Sequence, residues 1–390
     1  MRRLTLDYLR TETGSGLMLA AAAVAAVGVA NSGLAPEYFA VLRRPIPVRI
    51  GGFAETETVA AWIRSLLMPV FFLVLGMELK FELTRGELHN LRGLSVPALA
   101  AAGGLIAPVA VYFAVTRGAA PWNWAAGAAT DGAAALAALS LAGSALPHSL
   151  RVLVMSVALA DNLAATALAA VLTDAPFHPR LVVAAGAVLG LLLLLSRWRR
   201  APFLFYALGF ALAWGLTLKS GINPALAGIA CALTVPVGAR RPGQESTLKY
   251  FMESLHPYVA FAILPLYVFS AAGVRFEGMS LRDLFEPAPL GVALALVVGK
   301  PLGVLGVAGG AIALRLIRKP SGSTLGEFAG VALLCGAGFT VSYYLAEIDP
   351  RALAAAVRPA VRTDVFMASA FAAAAGVGVL GLARRAAGAD

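Results

Sequence analysis

The sequence predicts an all-α polytopic membrane protein, and three observations predict it. Hydrophobic residues make up 59% of the chain and charged residues only 13%, outside the range of a water-soluble domain. Apolar runs of roughly 18 to 22 residues recur along its length, each enough to cross about 30 Å of hydrocarbon. The runs are continuous and rich in Ala, Leu and Val, unlike the short alternating strands of an outer-membrane barrel. The net charge of +10 sits in short loops between the runs, as topology requires, so a nucleic-acid partner is not expected. Cys231 and Cys335 each lie inside an apolar run and read as small packing residues. No phosphate loop, zinc-ligand spacing or nucleophile elbow is visible, so neither an enzyme nor a cofactor is expected.

The segments follow in order. The basic start, MRRLTLDYLR, leads into a span from Gly14 to Ala30 with no convincing cleavage site, so no removable leader is expected. The loop from Asn31 to Thr58 contains PIPVRIGGFAETE, whose alternation around Gly51 and Gly52 predicts an external β-hairpin. The second, third and fourth spans run Ala60 to Leu79, Ser95 to Val115 and Trp122 to Leu146. The fifth and sixth run Leu150 to Leu172 and Leu181 to Leu195. A seventh (Phe203 to Leu218) and an eighth (Pro224 to Val237) are joined by a tight turn, KSGIN. The last four cover Tyr258 to Gly273, Leu290 to Leu316, Phe328 to Ala346 and Val365 to Leu382. That makes about twelve crossings in a single transmembrane domain of residues 1–390. Clusters such as Arg2 and Arg3, Lys80 and Arg85, and Arg384 and Arg385 fall on one side, which predicts cytoplasmic N- and C-termini.

Against this background a few polar residues are out of place. Asp131 lies mid-span in "GAATDGAAA", Asp161 and Asn162 in "ALADNLAATALAA", and Lys300 in "LVVGKPLGV". Ionisable groups in the bilayer are costly and mark function. An acid and a base that pair avoid most of that cost. Two aspartates and one lysine make a pair and a spare carboxylate, which is what a carrier of cations or protons needs. Glycines point to the same place: Gly127 and Gly132 flank Thr130-Asp131, while Gly336 and Gly338 precede Thr340. Glycine-interrupted spans in comparable positions of two halves predict broken helices meeting near the midplane, although glycines also serve close helix packing alone.

Several stretches together carry a family resemblance: "LLMPVFFLVLGMELKFEL", "AATDGAAALAALSLAG", "LKSGINPALAGI", "LHPYVAFAILPLYVFSAAGV", "GKPLGV" and "LCGAGFTVS". Over essentially its whole length the chain resembles the NhaA sodium/proton antiporters. The resemblance implies two inverted-topology repeats, spans three to five against ten to twelve, with spans four and eleven discontinuous and crossing. It implies ion binding and proton exchange by Asp131, Thr130, Asp161, Asn162 and Lys300. It also implies pH sensing and cation access through Glu78, Glu82, Glu253 and His256, and a homodimer built on the external hairpin.

One departure stands out. The family has two adjacent aspartates on span five, the second being the chief cation ligand, and here they read Asp161 and Asn162. An amide offers a carbonyl oxygen to a cation but brings neither charge nor exchangeable proton. Ser65, Asn223, Ala271 and Met252 depart from the family pattern as well. The expectation is therefore a Na+(Li+)/H+ antiporter of the bacterial inner membrane, driven by the proton gradient through alternating access and serving pH regulation. Its stoichiometry would be altered or its activity weak. The alternatives are a transport-deficient paralogue acting as sensor or binding partner, and a secondary transporter of organic anions drawn to Lys300.

Overall fold

Proline shapes the long helices of this chain. In the computed structural model, which describes residues 2–50, 53–118, 120, 123–143, 146–171, 177–197, 202–238, 245–347 and 358–387, three helices widen by one π-type turn just before an X-Pro step. The widened turns are Ile63–Leu67 before Met68-Pro69, Val259–Ile263 before Leu264-Pro265 and Ala295–Gly299 before Lys300-Pro301. A proline lacks the N–H that would bond four residues back and its ring crowds that carbonyl, so a wider turn relieves both problems. The carbonyl freed four residues before Pro69 is that of Ser65, and the indole Nε1 of Trp214 donates to it at 2.5 Å.

The chain is an all-α polytopic membrane protein. It opens with α1 (Arg2–Ala30) and α2 (Ala35–Arg43). A hairpin of β1 (Pro45–Ile50) and β2 (Phe53–Thr58) pairs antiparallel, Val48 opposite Glu55. Then come α3 (Val59–Thr84), α4 (Leu91–Thr116), α5 (Trp124–Ala128), α6 (Gly132–Leu141) and α7 (His148–Val171). Next are α8 (Pro179–Leu195), α9 (Phe203–Ser220), α10 (Ala225–Thr234) and α11 (Thr247–Ala271). The last are α12 (Leu281–Leu284), α13 (Pro287–Ala313), α14 (Leu325–Leu334), α15 (Phe339–Ala346) and α16 (Arg358–Ala387).

Among the described residues eight stretches are long and apolar enough to cross a membrane, and α1 with α2 forms a ninth that bends by 110°. The remaining expected spans are shorter pieces: the 17-residue α8, the 10-residue α10, and the pair α5 and α6. The fourth expected span thus stops at Leu141, short of Leu146, and breaks in the middle. The loop from Asn31 to Thr58 is more ordered than its sequence suggested, because Pro36 opens a helix within it. Gly51 and Gly52, the expected hairpin tip, and Trp122 and Leu172, expected span ends, lie outside the described residues. The hairpin seats on the end of α9, where Phe53 packs 5.9 Å from the Trp214 ring and Lys219 lies over Phe53.

Two helices approach backbone to backbone. A Cβ on Gly103 of α4 or on Gly303 of α13 would collide with the carbonyl of the other. In lipid such small-residue crossings replace the hydrophobic drive that holds helices together in water. The crossing brings Lys300, one turn from Gly303, up to α7.

Candidate functional site

The site is assembled where two helices break. Between α5 and α6 the chain is extended through Ala129, Thr130 and Asp131, and between α14 and α15 it is irregular from Cys335 to Gly338. The breaks touch: the Asp131 N–H donates to the Ala337 carbonyl at 2.7 Å, and Ser342 Oγ donates to the Ala126 carbonyl at 2.6 Å. Phe339, at the start of α15, has a φ of 23°, a strained value for a bulky residue of the kind found at functional crossings. Its N–H donates to Ser369 Oγ of α16 at 3.0 Å.

Broken helices expose peptide groups that lipid cannot satisfy, and this chain satisfies them with the residues singled out above. Asp131 caps two helices at once. Its Oδ1 accepts from the Ala134 N–H of α6 at 3.1 Å, and its Oδ2 accepts from the Thr340 N–H of α15 at 2.9 Å. Each helix N-terminus carries about half a positive charge, so two of them favour an anion at Asp131.

Thr130 is satisfied by Asn162. The Thr130 N–H donates to Asn162 Oδ1 at 3.1 Å and the Asn162 Nδ2 donates to the Thr130 carbonyl at 2.8 Å. Only this orientation of the amide works, since turning it over would oppose N–H to N–H and oxygen to oxygen. The Thr130 hydroxyl lies 2.9 Å from the Cys335 carbonyl and 3.1 Å from Asp161 Oδ2, and donates to one of them at a time.

Asp161 and Lys300 form a buried ion pair through Asp161 Oδ2, with neither side chain exposed. Asp161 Oδ1 has no hydrogen-bond partner among the described residues. The carboxylate packs on the bare backbone of Gly104, where a Cβ would stand 3.4 Å from Oδ2. Successive residues of a helix point about 100° apart. Asp161 therefore faces α4 and α13, and Asn162 faces the break.

A cavity of about 100 Å³ leads to this point, lined by Phe71, Glu78, Asp131, Asn162, His256 and Thr340 among others. Glu78 and His256 sit 4.0 Å apart and are partly exposed. Asp131 is 4% exposed and belongs to the deep end. Such a volume admits several waters or a partly hydrated cation.

All five residues predicted to form the ion site, Asp131, Thr130, Asp161, Asn162 and Lys300, are thus brought together, but they do not share one face. Asp131 and Asn162 line the cavity, and Asp161 and Lys300 lie behind it. Gly127, Gly132, Gly336, Gly338 and Thr340 lie at or beside the two breaks. Of the four predicted access residues, Glu78 and His256 line the cavity while Glu82 and Glu253 do not. Glu82 accepts the Glu87 N–H at 3.0 Å, and Glu253 pairs with Lys249 at 3.5 Å on the surface. Each is occupied by its own helix end, which composition alone could not reveal.

The surroundings of two other acids were not legible in the sequence. Asp364 is buried at 7% exposure on α16, a helix whose expected start at Val365 would have left it outside the span. Glu347 carries two arginine partners, Arg64 and Arg362. In the sequence it is one more acid at the end of a span.

Residues 6–380 match the family described as Na+/H+ antiporter 1. A Na(+)/H(+) antiporter NhaA from Bordetella parapertussis is 42% identical over 347 residues, which are 87% of this chain and 87% of that protein. A Na(+)/H(+) antiporter NhaA from Pseudomonas putida is 36% identical over 390 residues, which are 99% of each chain.

Proposed function

This chain belongs to the NhaA family of Na+/H+ antiporters, and on that premise we propose that it exchanges Na+ or Li+ for H+ with Asp131 as the carboxylate that takes cation and proton in turn. The observation that carries the reading is the division of the two buried aspartates: Asp131 lines the deep end of the cavity, and Asp161 is held by Lys300 behind it. A Na+ leaving water needs a negative charge to offset its dehydration, and the carbonyl of Asn162 brings none. The Asp131 oxygens each accept one N–H and keep a further lone pair for a cation.

Charge arithmetic then supports a one-for-one coupling. With Asp161 and Lys300 cancelling, the site carries one negative charge, and either one Na+ or one H+ neutralises it. One-for-one exchange leaves no net charge moved, so the altered stoichiometry is electroneutral. The protein works from the bacterial inner membrane as a multi-pass carrier with cytoplasmic termini, driven by the pH gradient through alternating access. Glu78 and His256 guide cations in, while Glu82 and Glu253 lie outside the cavity lining.

One observation favours a second reading. Asn162 engages both peptide groups of Thr130, and a clasp too firm to release would leave a transport-deficient sensor or binding partner. The organic-anion reading has less support, because Lys300 is absent from the cavity wall and neutralised by Asp161.

Everted vesicles decide among these. Respiration acidifies the lumen, and addition of Na+ or Li+ is expected to dissipate the pH gradient, with the same response when valinomycin and K+ clamp the potential. Asp131→Asn is expected to abolish the response. A folded wild-type protein that responds to neither ion would sink the antiport reading, and a response lost under the clamp would sink the electroneutral one.

A further inference from the structure

Away from the cavity, the far end of the molecule carries an ion-pair cluster that the ion site does not use. Glu347 follows the last turn of α15. Its Oε2 accepts from Arg64 Nη1 at 3.3 Å, its backbone carbonyl accepts from the same group at 3.2 Å, and its Oε1 pairs with Arg362 Nη2. Three elements meet there: α3 through Arg64, α15 through Glu347 and α16 through Arg362. Both burial and the arginines act on the carboxyl. Burial pushes its pKa up, but Arg362 and then Arg64 outweigh that and hold it below the usual carboxylate range.

The seam between α3 and α15 links this cluster to the ion site. The cavity has Phe71, Val74 and Glu78 of α3 on one wall and Thr340 and Val341 of α15 on another. Beyond it, Phe72 of α3 packs on Tyr344 of α15 with ring centroids 5.2 Å apart, both rings almost fully buried. The Tyr344 hydroxyl donates to Asn223 Oδ1 at 2.5 Å. Farther along the same seam stands the Arg64–Glu347 pair. From Glu78 to Arg64 along α3 is about 21 Å at 1.5 Å per residue, so cavity and cluster lie toward opposite ends of one helix.

We propose that Arg64 and Glu347 form a latch that closes the transport path on the side opposite the Glu78–His256 cavity. The proposal rests on the alternating-access reading above. An aromatic contact alone would reseal whenever the two helices approached. An ion pair adds a specific and reversible hold, because its two charges, 27% and 18% exposed, can return to water when it parts. Arg362 keeps Glu347 aimed while Arg64 lets go. Arg64 and Glu347 are positioning residues, since neither touches the cation or the carboxylate that carries it.

The test reads access and needs no transport. Val341→Cys puts a thiol on the cavity wall, and native Cys231 and Cys335 are both buried. A membrane-impermeant maleimide is added to sealed vesicles from either face in the absence of any ion gradient. From the cavity face V341C labels; from the Glu347 face it labels slowly. Adding Arg64→Gln is expected to raise the rate from the Glu347 face at least fivefold, with Glu347→Gln doing the same and Arg64→Lys returning it toward the parent. Equal rates from the Glu347 face in V341C and both double variants would overturn the latch, as would a rise from both faces together with labelling of Cys231, the sign of general loosening. Failure of antiport with the labelling pattern intact would overturn the ion-exchange reading and leave the latch standing.

Discussion

Asn162 pairs with the peptide of Thr130 at two points, accepting its N–H at 3.1 Å and donating to its carbonyl at 2.8 Å. The amide does for the broken helix what the missing turn would have done. An ionised aspartate accepts the N–H but has nothing to give the carbonyl, whereas a protonated carboxyl has both a donor and an acceptor. Asn162 is in this sense a permanent copy of a protonated acid.

Asn162→Ala strands both Thr130 groups. At about 1–3 kcal/mol for each buried unpaired group, a loss of roughly 2–6 kcal/mol is expected in thermal unfolding in detergent. Asn162→Asp is expected to behave differently, most stable in acid where the carboxyl keeps its proton and less stable as pH rises. The same variant adds a second titratable charge to the site, so its Na+-driven proton movement should become sensitive to membrane potential. An Asn162→Asp protein equally stable at all pH would contradict the clasp.

Asp161 and Lys300 test the ion pair by a double-mutant cycle. Removing one partner leaves the other charged, buried and alone, and either Asp161→Asn or Lys300→Gln is expected to cost about 3–5 kcal/mol. The double variant should recover much of that loss, because no lone charge remains. Additive losses in the melting profiles would mean the pair does not share one environment.

Gly303 and Gly306 lie one turn apart on α13 and should respond oppositely to alanine. A Cβ on Gly303 meets the Gly103 carbonyl, while a Cβ on Gly306 has nothing within 4 Å. Gly303→Ala is expected to destabilise by about 1–3 kcal/mol through overpacking. It should also weaken transport by displacing Lys300. Gly306→Ala should be neutral or stabilising by up to about 1 kcal/mol. Equal melting temperatures for the two would refute the close crossing of α4 and α13.

Glu347 gives the folded state a defined response to acid. Burial raises its pKa, Arg362 and Arg64 lower it by more, and the net direction is down. A carboxyl depressed on folding contributes stability that is present above its unfolded value and lost as pH falls through the folded one. The wild type is therefore expected to lose stability below the ordinary carboxylate range in a step that Glu347→Gln lacks. Parallel acid-unfolding profiles for the two would argue against the Arg64–Glu347–Arg362 cluster.

The sequence by itself determined the solvent, the order of the apolar segments, the two breaks and the presence of two acids and one base in mid-span. These are properties of short windows: apolar length, glycine and proline punctuation, and the high cost of a lone charge in lipid. Even the hairpin around Gly51 and Gly52 was legible, because strand alternation is local. The tertiary structure alone decided which face each of these residues presents. Asp161 and Asn162 are neighbours in the chain, yet one turns to Lys300 and the other to Thr130 and the cavity. That choice depends on how α7 is rotated about its axis and on what packs against it. The same dependence hid the pairing of Glu347 with Arg64, 283 positions away, since no local rule brings the end of one broken helix to the start of another.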